Sequence, residues 1–494
     1  MSWKDLASEI KWNITPFIDG RYHPSNSSQL IDNINPATEL LLCRFAIGDA
    51  SDIDEAVQVA RQRFEDGCWS NLSPEHRAAT LARLADLIAE HKSELALLDT
   101  LEMGKPIQAA LYDAGHIAPG LLRSWAGFAD KLLGSSAPLS SRVLSFNTFE
   151  PRGVIGAVTP WNFPSVNAVV KFGPALAAGN SVVLKPSEIS PSSALRIAEL
   201  ALEAGLPDGV FNVVPGTGST VGAALARHPD VDLISFTGST ATGRKVMELA
   251  GSSNGKPLLL ECGGKSPQLV FDDVENLGSV ADVIVQSVLW NQGQVCSAHT
   301  RLIVHEAVKN ALTDEVLRRA REQHPGDPLD DATTFGPLAS PAQRDRVNAY
   351  VVRGIQSGAR ALLRGKVQES GGCNVAPTIF DQVQSTMSIA REEIFGPVLC
   401  IQSFSTDDEA LELANATDYG LEATVWTRDI RRGRRFARQV RAGTITIRSS
   451  AADVPLSGCQ LSCEPQKASG FGCEVGLRAL ESYSTLKLIN VIGD

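Results

Sequence analysis

Cys296 and Glu261 carry the chemistry this chain offers most plainly. The thiol sits in the stretch Asn291-Gln292-Gly293-Gln294-Val295-Cys296-Ser297, between a small-residue turn and a run of strand-forming residues. Upstream, Glu261 opens a Gly-rich run, Glu261-Cys262-Gly263-Gly264-Lys265-Ser266-Pro267. A thiol that attacks and a carboxylate that activates water are the two groups that thioester formation and hydrolysis require. Taken singly, a cysteine is more often a buried small hydrophobe, so the reading rests on the pair and its surroundings.

A second set of residues suits a nucleotide. The run Gly216 to Gly222 has one residue too many for the dinucleotide fingerprint, and Gly238 to Lys245 lacks the Gly-Lys-Ser/Thr of a phosphate-cradling loop. Gly238-Ser239 nevertheless falls between a strand and a helix, where free N–H groups and the helix dipole favour a pyrophosphate. Either loop alone is as readily a plain strand-to-helix turn. Lys185 and Glu188, in Leu184-Lys185-Pro186-Ser187-Glu188, sit at the end of a strand, where both can bond ribose hydroxyls. The carboxylate repels a 2′-phosphate and so favours NAD over NADP; the alternative is a solvated sheet edge. In Thr159-Pro160-Trp161-Asn162-Phe163-Pro164 the prolines fix the backbone around Asn162. A held amide can donate to an oxyanion, a contribution of ~3 kcal/mol in a transition state. By itself, this loop reads as an ordinary Pro-rich turn.

The elements that must position these residues run from residue 153 onward. Runs at 153–158, 181–184, 211–214, 233–236 and 257–260 read as strands, and 165–178, 191–204, 219–227 and 239–250 as helices. Strict alternation implies a parallel sheet covered on both faces, which holds ligands at its carboxyl edge. Past Gly263-Gly264 the alternation restarts, with a helix over 276–290, the Cys296 loop, a strand at 302–304 and further units to about residue 447. The first third reads as mostly helical, with starts at Ser51 and at Ser73-Pro74. Residues 131–150 look like a strand excursion that pairs with 485–491 and makes subunit contacts.

At 494 residues the chain exceeds one hydrophobic core, and 43% hydrophobic with 20% charged residues excludes disorder. A net charge of −11 disfavours nucleic acid and anionic membranes as partners. The arginines from Arg428 to Arg441 read as an ion-paired or solvated helix rather than a nucleic-acid patch. Nine scattered cysteines point to free thiols in a reducing compartment; Cys459, Cys463 and Cys473 do not match a zinc spacing, and no metal is expected. Met1 to Leu6 lack an apolar signal core, and no run reaches the ~18 apolar residues of a membrane span, so the expected location is cytoplasmic.

The motifs together resemble the aldehyde dehydrogenase superfamily over nearly the whole chain. The resemblance is carried by Pro160-Trp161-Asn162-Phe163-Pro164, Lys185-Pro186-Ser187-Glu188, Phe236-Thr237-Gly238-Ser239-Thr240, Glu261 to Pro267, Gly293-Gln294-Val295-Cys296 and Glu392-Glu393-Ile394-Phe395-Gly396-Pro397-Val398, which stand in the family's order. It implies the aldehyde dehydrogenase fold: an α/β chain with a Rossmann-like dinucleotide-binding domain (1–130 and 151–262) and a second α/β catalytic domain (263–447). It also implies a small β oligomerisation extension (131–150 and 480–494), and a loop region near the substrate mouth (448–479). Cys296 resembles the nucleophile, Asn162 with the Cys296 N–H the oxyanion hole, and Glu261 the general base. Lys185 and Glu188 match contacts to the adenosine ribose, Ser239 a pyrophosphate contact, and Glu393, with Phe395 beside it, the holder of the nicotinamide ribose. Thr159, Pro160, Trp161, Ser187, Gly218, Phe236, Gly238 and Gly263 complete the implied cofactor site. Phe163, Trp290, Val295 and Ser297 line the implied substrate passage.

The resemblance thus implies oxidation of an aldehyde to a carboxylic acid with NAD, or NADP, through a Cys296 thioester hydrolysed by Glu261-activated water. The whole chain is nearest to members acting on aminoaldehydes or γ-glutamylated aminoaldehydes, and a homodimer or homotetramer is expected. The alternatives are an acylating, coenzyme A-dependent enzyme, against which Glu261 argues, and a catalytically silent binding relative. The pattern departs where Thr446 and Arg448 replace the usual Trp-x-Asn and Ser462-Cys463-Glu464-Pro465 the usual Pro-Phe-Gly-Gly. Cys473 replaces the arginine before Glu474. These departures bear on the substrate; Arg448, with Asp453 and Glu464 near in sequence, either selects a charged aldehyde or pairs internally, the latter being expected.

Overall fold

Five short apolar strands, Phe211–Val213, Ser181–Lys185, Val154–Val158, Leu233–Thr237 and Leu258–Glu261, lie side by side in that spatial order, all parallel. Their buried residues explain the lack of alternation in the sequence, since both faces are covered. The computed structural model describes residues 2–25, 27–140, 142–365, 372–452 and 461–492. Chain order runs outward from Val154–Val158 in one direction, then jumps to Leu233–Thr237 in the other. The carboxyl ends of those two strands therefore flank the topological switch point, where open α/β sheets bind ligands. Phe17–Ile18 and Arg21–Tyr22 extend one edge, and Gly470–Phe471 pairs antiparallel with Leu258–Glu261 at the other.

Helices Pro164–Ala177, Ser192–Glu203 and Thr240–Gly251 connect the strands. A single helix over 219–227 does not form. Residues Gly218–Gly222 make a π-helical turn, in which Gly222 N–H reaches back to Thr217 O at 3.2 Å, and only Ala223–Arg227 is α-helical. The first third is mostly helical from Ala50 to Phe128, with Ser73 capping Pro74–Glu90 as expected, but residues before it form strands. The strands Leu30–Asn35 and Leu40–Ala46 form a hairpin around a turn in which Glu39 takes φ 58°. Too short and irregular to show a clean period, they precede a helix that starts earlier than Ser51. Asp49 caps Ala50–Glu65 by accepting from Ser51 and Asp52 N–H.

The chain crosses to a second sheet between Glu261 and Pro267. Its strands are Arg360–Leu363, Thr378–Asp381, Val398–Phe404, Arg301–His305, Pro267–Val270, Glu422–Trp426 and Thr444–Arg448, parallel except for the first. Helices Leu277–Leu289 and Glu306–Arg321 cover one face, Asp407–Asn415 and Ile430–Gln439 the other. The last of these carries the arginine run, and it is ion-paired: Arg432 with Asp273 and Asp407, Arg435 with Asp407 and Asp408. A third sheet pairs Val143–Pro151 with Ser484–Ile492 in one unbroken register from Ser484↔Pro151 to Ile492↔Val143. Among the described residues no helix is long and apolar enough to cross a membrane, and no cluster of His, Cys, Asp and Glu could hold a metal ion.

Arg448 and Glu464 do not pair. The Arg448 guanidinium lies 5.4 Å over the Trp426 ring and donates to Ala452 O, whereas Glu464 lies 3.9 Å from Arg478. Asp453 and Cys459 lie outside the described residues.

Arg301 joins the pieces of the second sheet. Its buried guanidinium donates to Lys265 O, Leu413 O and Ala414 O, each at 2.8 Å, tying the strand after Gly264 to the last carbonyls of helix Asp407–Asn415. Arg301→Met leaves three buried carbonyls without donors, so it should lower unfolding free energy by about 3 kcal/mol or more. Urea denaturation measures this; a loss below about 1 kcal/mol would show that the carbonyls find other partners.

Candidate active site

Three consecutive residues set the approach to the thiol. Asn291, Gln292 and Gly293 take φ of 48°, 58° and 73°, a left-handed run that ends helix Leu277–Leu289 and turns the chain back. Two of the three carry side chains, and each costs about 1–2 kcal/mol in that conformation. Hydrogen bonds offset the cost. Asn291 Nδ2 donates to Asn162 O at 2.8 Å, Gln294 Nε2 to Asn291 O at 3.2 Å, and Ala339 N–H to Gln294 Oε1 at 2.9 Å.

Through Asn291 the Cys296 loop is locked to the Pro-flanked loop that succeeds strand Val154–Val158. Asn162 Nδ2 donates to Gln294 O at 2.9 Å, while its Oδ1 accepts from Asn167 at 3.3 Å. This fixes which end of the amide is the donor. One N–H of the pair is used, and the other is available in the cavity that Asn162 and Cys296 share. Gly263 and Gly264 pack the crossing segment against both neighbours. A Cβ on Gly264 would collide with the Cys296 carbonyl oxygen, and one on Gly263 with the Glu393 carboxylate.

The resulting cavity encloses about 200 Å³ at the switch point. Pro160, Trp161, Asn162 and Phe163 line it from one strand end, and Gly238 and Ser239 from the other. Gly263, Cys296, Glu393 and Phe395 close it from the second sheet. Trp161 and Phe395 meet edge-on at 5.3 Å, with Phe395 at φ 63°. Ser239 caps helix Thr240–Gly251 by accepting from Thr242 N–H at 3.2 Å, so the free N–H groups of that helix open beside it.

Other expected residues lie outside this lining. Lys185, buried, donates to Glu188 at 3.1 Å at the end of the neighbouring strand. Thr159 and Ser187 are buried and act on the backbone: Thr159 N–H bonds Lys185 O, and Ser187 Oγ accepts from Ile189 N–H. Gly218 starts the exposed π-helical turn, and Phe236 is a core residue on which Gly238 rests. Trp290 is 45% exposed and stands edge-on to Phe163 at 5.3 Å. Val295 is buried, and Ser297 partly buried, on either side of Cys296.

Glu261 closes strand Leu258–Glu261, between Thr237 and Gly470. Burial pushes its carboxyl up to about 8, the Glu474 charge adds to this, and Lys171 opposes it. Lys171 and Glu474 form a buried pair, with Nζ at 2.6 and 2.5 Å from the two carboxylate oxygens, and Ser235 Oγ and Tyr483 OH continue the chain of hydrogen bonds. Sequence reading missed Lys171. Its signal was a lysine on the apolar face of its helix, in step with Ala168, Phe172 and Ala175. Gln343 and Arg346 were also missed: Gln343 donates to Phe395 O at 2.7 Å and Arg346 to Glu393 O at 2.9 Å, clamping the backbone of that loop. Burial pushes the Cys296 thiol up to about 12, with Glu261 and Glu393 adding to it, and burial pushes Glu393 up to about 7.

The chain is 44% identical over 490 residues to the NADP/NAD-dependent aldehyde dehydrogenase PuuC of Escherichia coli, covering 99% of this chain and 97% of that one. It is 44% identical over 488 residues to the aminoacetaldehyde dehydrogenase of Pseudomonas aeruginosa, covering 98% and 97%. The fold superposes with a TM-score of 0.96 on a mutant of the P. syringae indole-3-acetaldehyde dehydrogenase AldA in complex with NAD+ and IAA, at 42% identity and 99% coverage of each chain. The aldehyde dehydrogenase family model matches residues 22–489, and the chain belongs to that family.

Proposed function

We propose that this enzyme oxidises an aldehyde to a carboxylic acid with NAD, by way of an acyl thioester on Cys296. The observation that carries the reading is the shared cavity, lined by Cys296 and by Cys262, in which Gln294 O holds the Asn162 amide beneath two strand ends suited to a pyrophosphate. These residues would hold a dinucleotide: Lys185 and Glu188 its adenosine ribose, Ser239 and the helix N–H groups its phosphates, Glu393 and Phe395 its other end. When bound, it supplies a hydride acceptor. Residues 1–130 and 151–262 serve this half of the site, and 263–447 present the thiol.

The Cys296 sulfur reacts as its anion, yet burial keeps it protonated at rest. The thiol gives this proton up to solvent as the sulfur meets the carbonyl carbon, which leaves the Glu261 carboxylate free for the later step. Negative charge then gathers on the former carbonyl oxygen, where the Asn162 amide and the Cys296 N–H donate to it. After oxidation the acyl group stays on sulfur. Glu261 then removes a proton from water, which attacks the thioester and frees the acid. Coenzyme A has no part in this route, because the base is already present for water.

The substrate is an aldehyde bearing an amino group, a reading supported by the aminoacetaldehyde named for the P. aeruginosa relative. A free nucleophilic thiol suits a reducing compartment, the cytoplasm. Subunits meet through the sheet Val143–Pro151 with Ser484–Ile492, which leaves Leu144, Leu486, Leu488, Val491 and Ile492 exposed.

Cys296→Ser should lower turnover by about a thousandfold or more while dinucleotide binding persists, and the acyl adduct at residue 296 should vanish from mass spectra. Glu261→Gln should keep a single-turnover burst of NADH but cut the steady state by on the order of a hundredfold or more; full steady-state turnover would remove Glu261 from the role. Because Glu261 acts deprotonated and its carboxyl is held up near 8, hydrolysis should rise with pH through that region. Glu474→Gln removes a charge that raises it, so the rising limb should move to lower pH; a limb that stays put would disconnect the pair from the base. Leu486→Glu with Leu488→Glu should reduce the species in sedimentation to a protomer, of 52.7 kDa, and a wild-type protomer would refute the subunit contact.

A further inference from the structure

One carboxylate near the thiol has no assigned task. Glu422 begins strand Glu422–Trp426, opposite Thr444 of the adjacent strand. Side chains alternate along a strand, so Glu422, Thr424 and Trp426 share a face. On that face Thr424 Oγ1 meets His299 Nε2 at 3.0 Å, and His299 belongs to the loop that carries Cys296. The preceding residue, Leu421, lies against the same loop: a Cβ on Gly264 would stand 3.4 Å from Leu421 Cβ while colliding with Cys296 O. The start of this strand is therefore set beside the loop that carries Cys296.

Glu422 is partly buried, and its carboxylate makes no hydrogen bond or ion pair among the described residues. Its charge is felt at the Cys296 thiol, the His299 ring and the Cys463 thiol. Lys265, Arg301 and Arg441 line a small cavity with Glu422, but none of them forms an ion pair with it, and Arg301 is committed to three carbonyls. Burial pushes the His299 ring down, toward its uncharged form, and Arg448 is turned over Trp426 and toward Ala452 O. Lys171 is committed to Glu474. A partly buried carboxylate without an ion-pair partner gains from a cation that comes to it.

We infer that Glu422 receives the ammonium group of the substrate, and so selects cationic aldehydes over neutral ones at Cys296. The inference rests on the aminoaldehyde reading above and assigns it to a residue. Glu422 touches the end of the substrate away from the carbonyl, so it sets specificity without taking part in bond making.

The test compares aminopropionaldehyde with butyraldehyde, which has a methyl group where the first has its ammonium. The wild type should favour the amino compound in kcat/KM, and Glu422→Gln, nearly identical in shape, should cut that preference by roughly ten- to a hundredfold, mostly through KM. Glu422→Lys should shift preference toward an acidic aldehyde, succinate semialdehyde. If Glu422→Gln lowers both specificity constants equally, the residue is structural and the inference falls. A wild-type preference that survives Glu422→Gln removes Glu422 alone and leaves the aminoaldehyde reading standing. A wild type with no preference for the ammonium compound overturns both.

Discussion

The site depends on two backbones passing closer than side chains allow. Where the chain leaves the first sheet for the second, Gly263 and Gly264 slide beneath the Glu393 carboxylate and the Cys296 carbonyl. Gly264 N–H turns this proximity into a hydrogen bond to Glu393 at 3.0 Å. A side chain at either position would push the thiol loop away from the first sheet and separate Cys296 from Asn162. The nucleotide half and the thiol half of the molecule therefore form one cavity only because the crossing segment has no Cβ atoms there. The left-handed turn at Asn291–Gly293 completes the fit from the other side, and its strain is offset by the same Asn162 loop it helps to fix.

Much of this was legible in the sequence because chemistry sits at strand ends. A strand fully buried in a parallel sheet reads as an apolar run, and the chain must turn where that run stops, so Thr159 to Pro164, Lys185 to Glu188, and Gly238-Ser239 announced themselves by position. Glu261 also ends such a run, whereas Cys296, in a loop ahead of a strand, stood out by its pairing with Glu261 and the motif around it. Lys171 was not, because its partner Glu474 is about three hundred residues away and only folding brings them together. Gln343 and Arg346 act on main-chain oxygens, which any sequence supplies, so no residue pattern marks them. The strands at 17–22 were missed because each is two residues long, those at 30–46 because their burial does not alternate and Glu39 occupies a left-handed position that usually signals glycine.

Burial explains the resting state of the chemistry. The thiol, Glu261 and Glu393 are all held above their ordinary values, because each ionised form loses water, and the thiol and Glu261 also face like charges. The thiol is thus protonated at rest, which disfavours adventitious oxidation of the sulfur, since oxidation needs the thiolate. The proposed nucleophile and base become charged only when a proton has somewhere to go.

The Lys171–Glu474 pair bears on that proton. A buried lysine or glutamate alone would be costly, whereas the two together carry no net charge. Their influence on Glu261 is a difference between two opposed charges, and the carboxylate's is the larger, so the pair raises Glu261 rather than lowering it. The same pair is joined through Ser235 to Tyr483, at the foot of the strand Ser484–Ile492. The polar group that tunes the proposed base thus also anchors the segment proposed to bring subunits together, so a change at Glu474 bears on Glu261 and on the carboxyl-terminal strand through one set of hydrogen bonds.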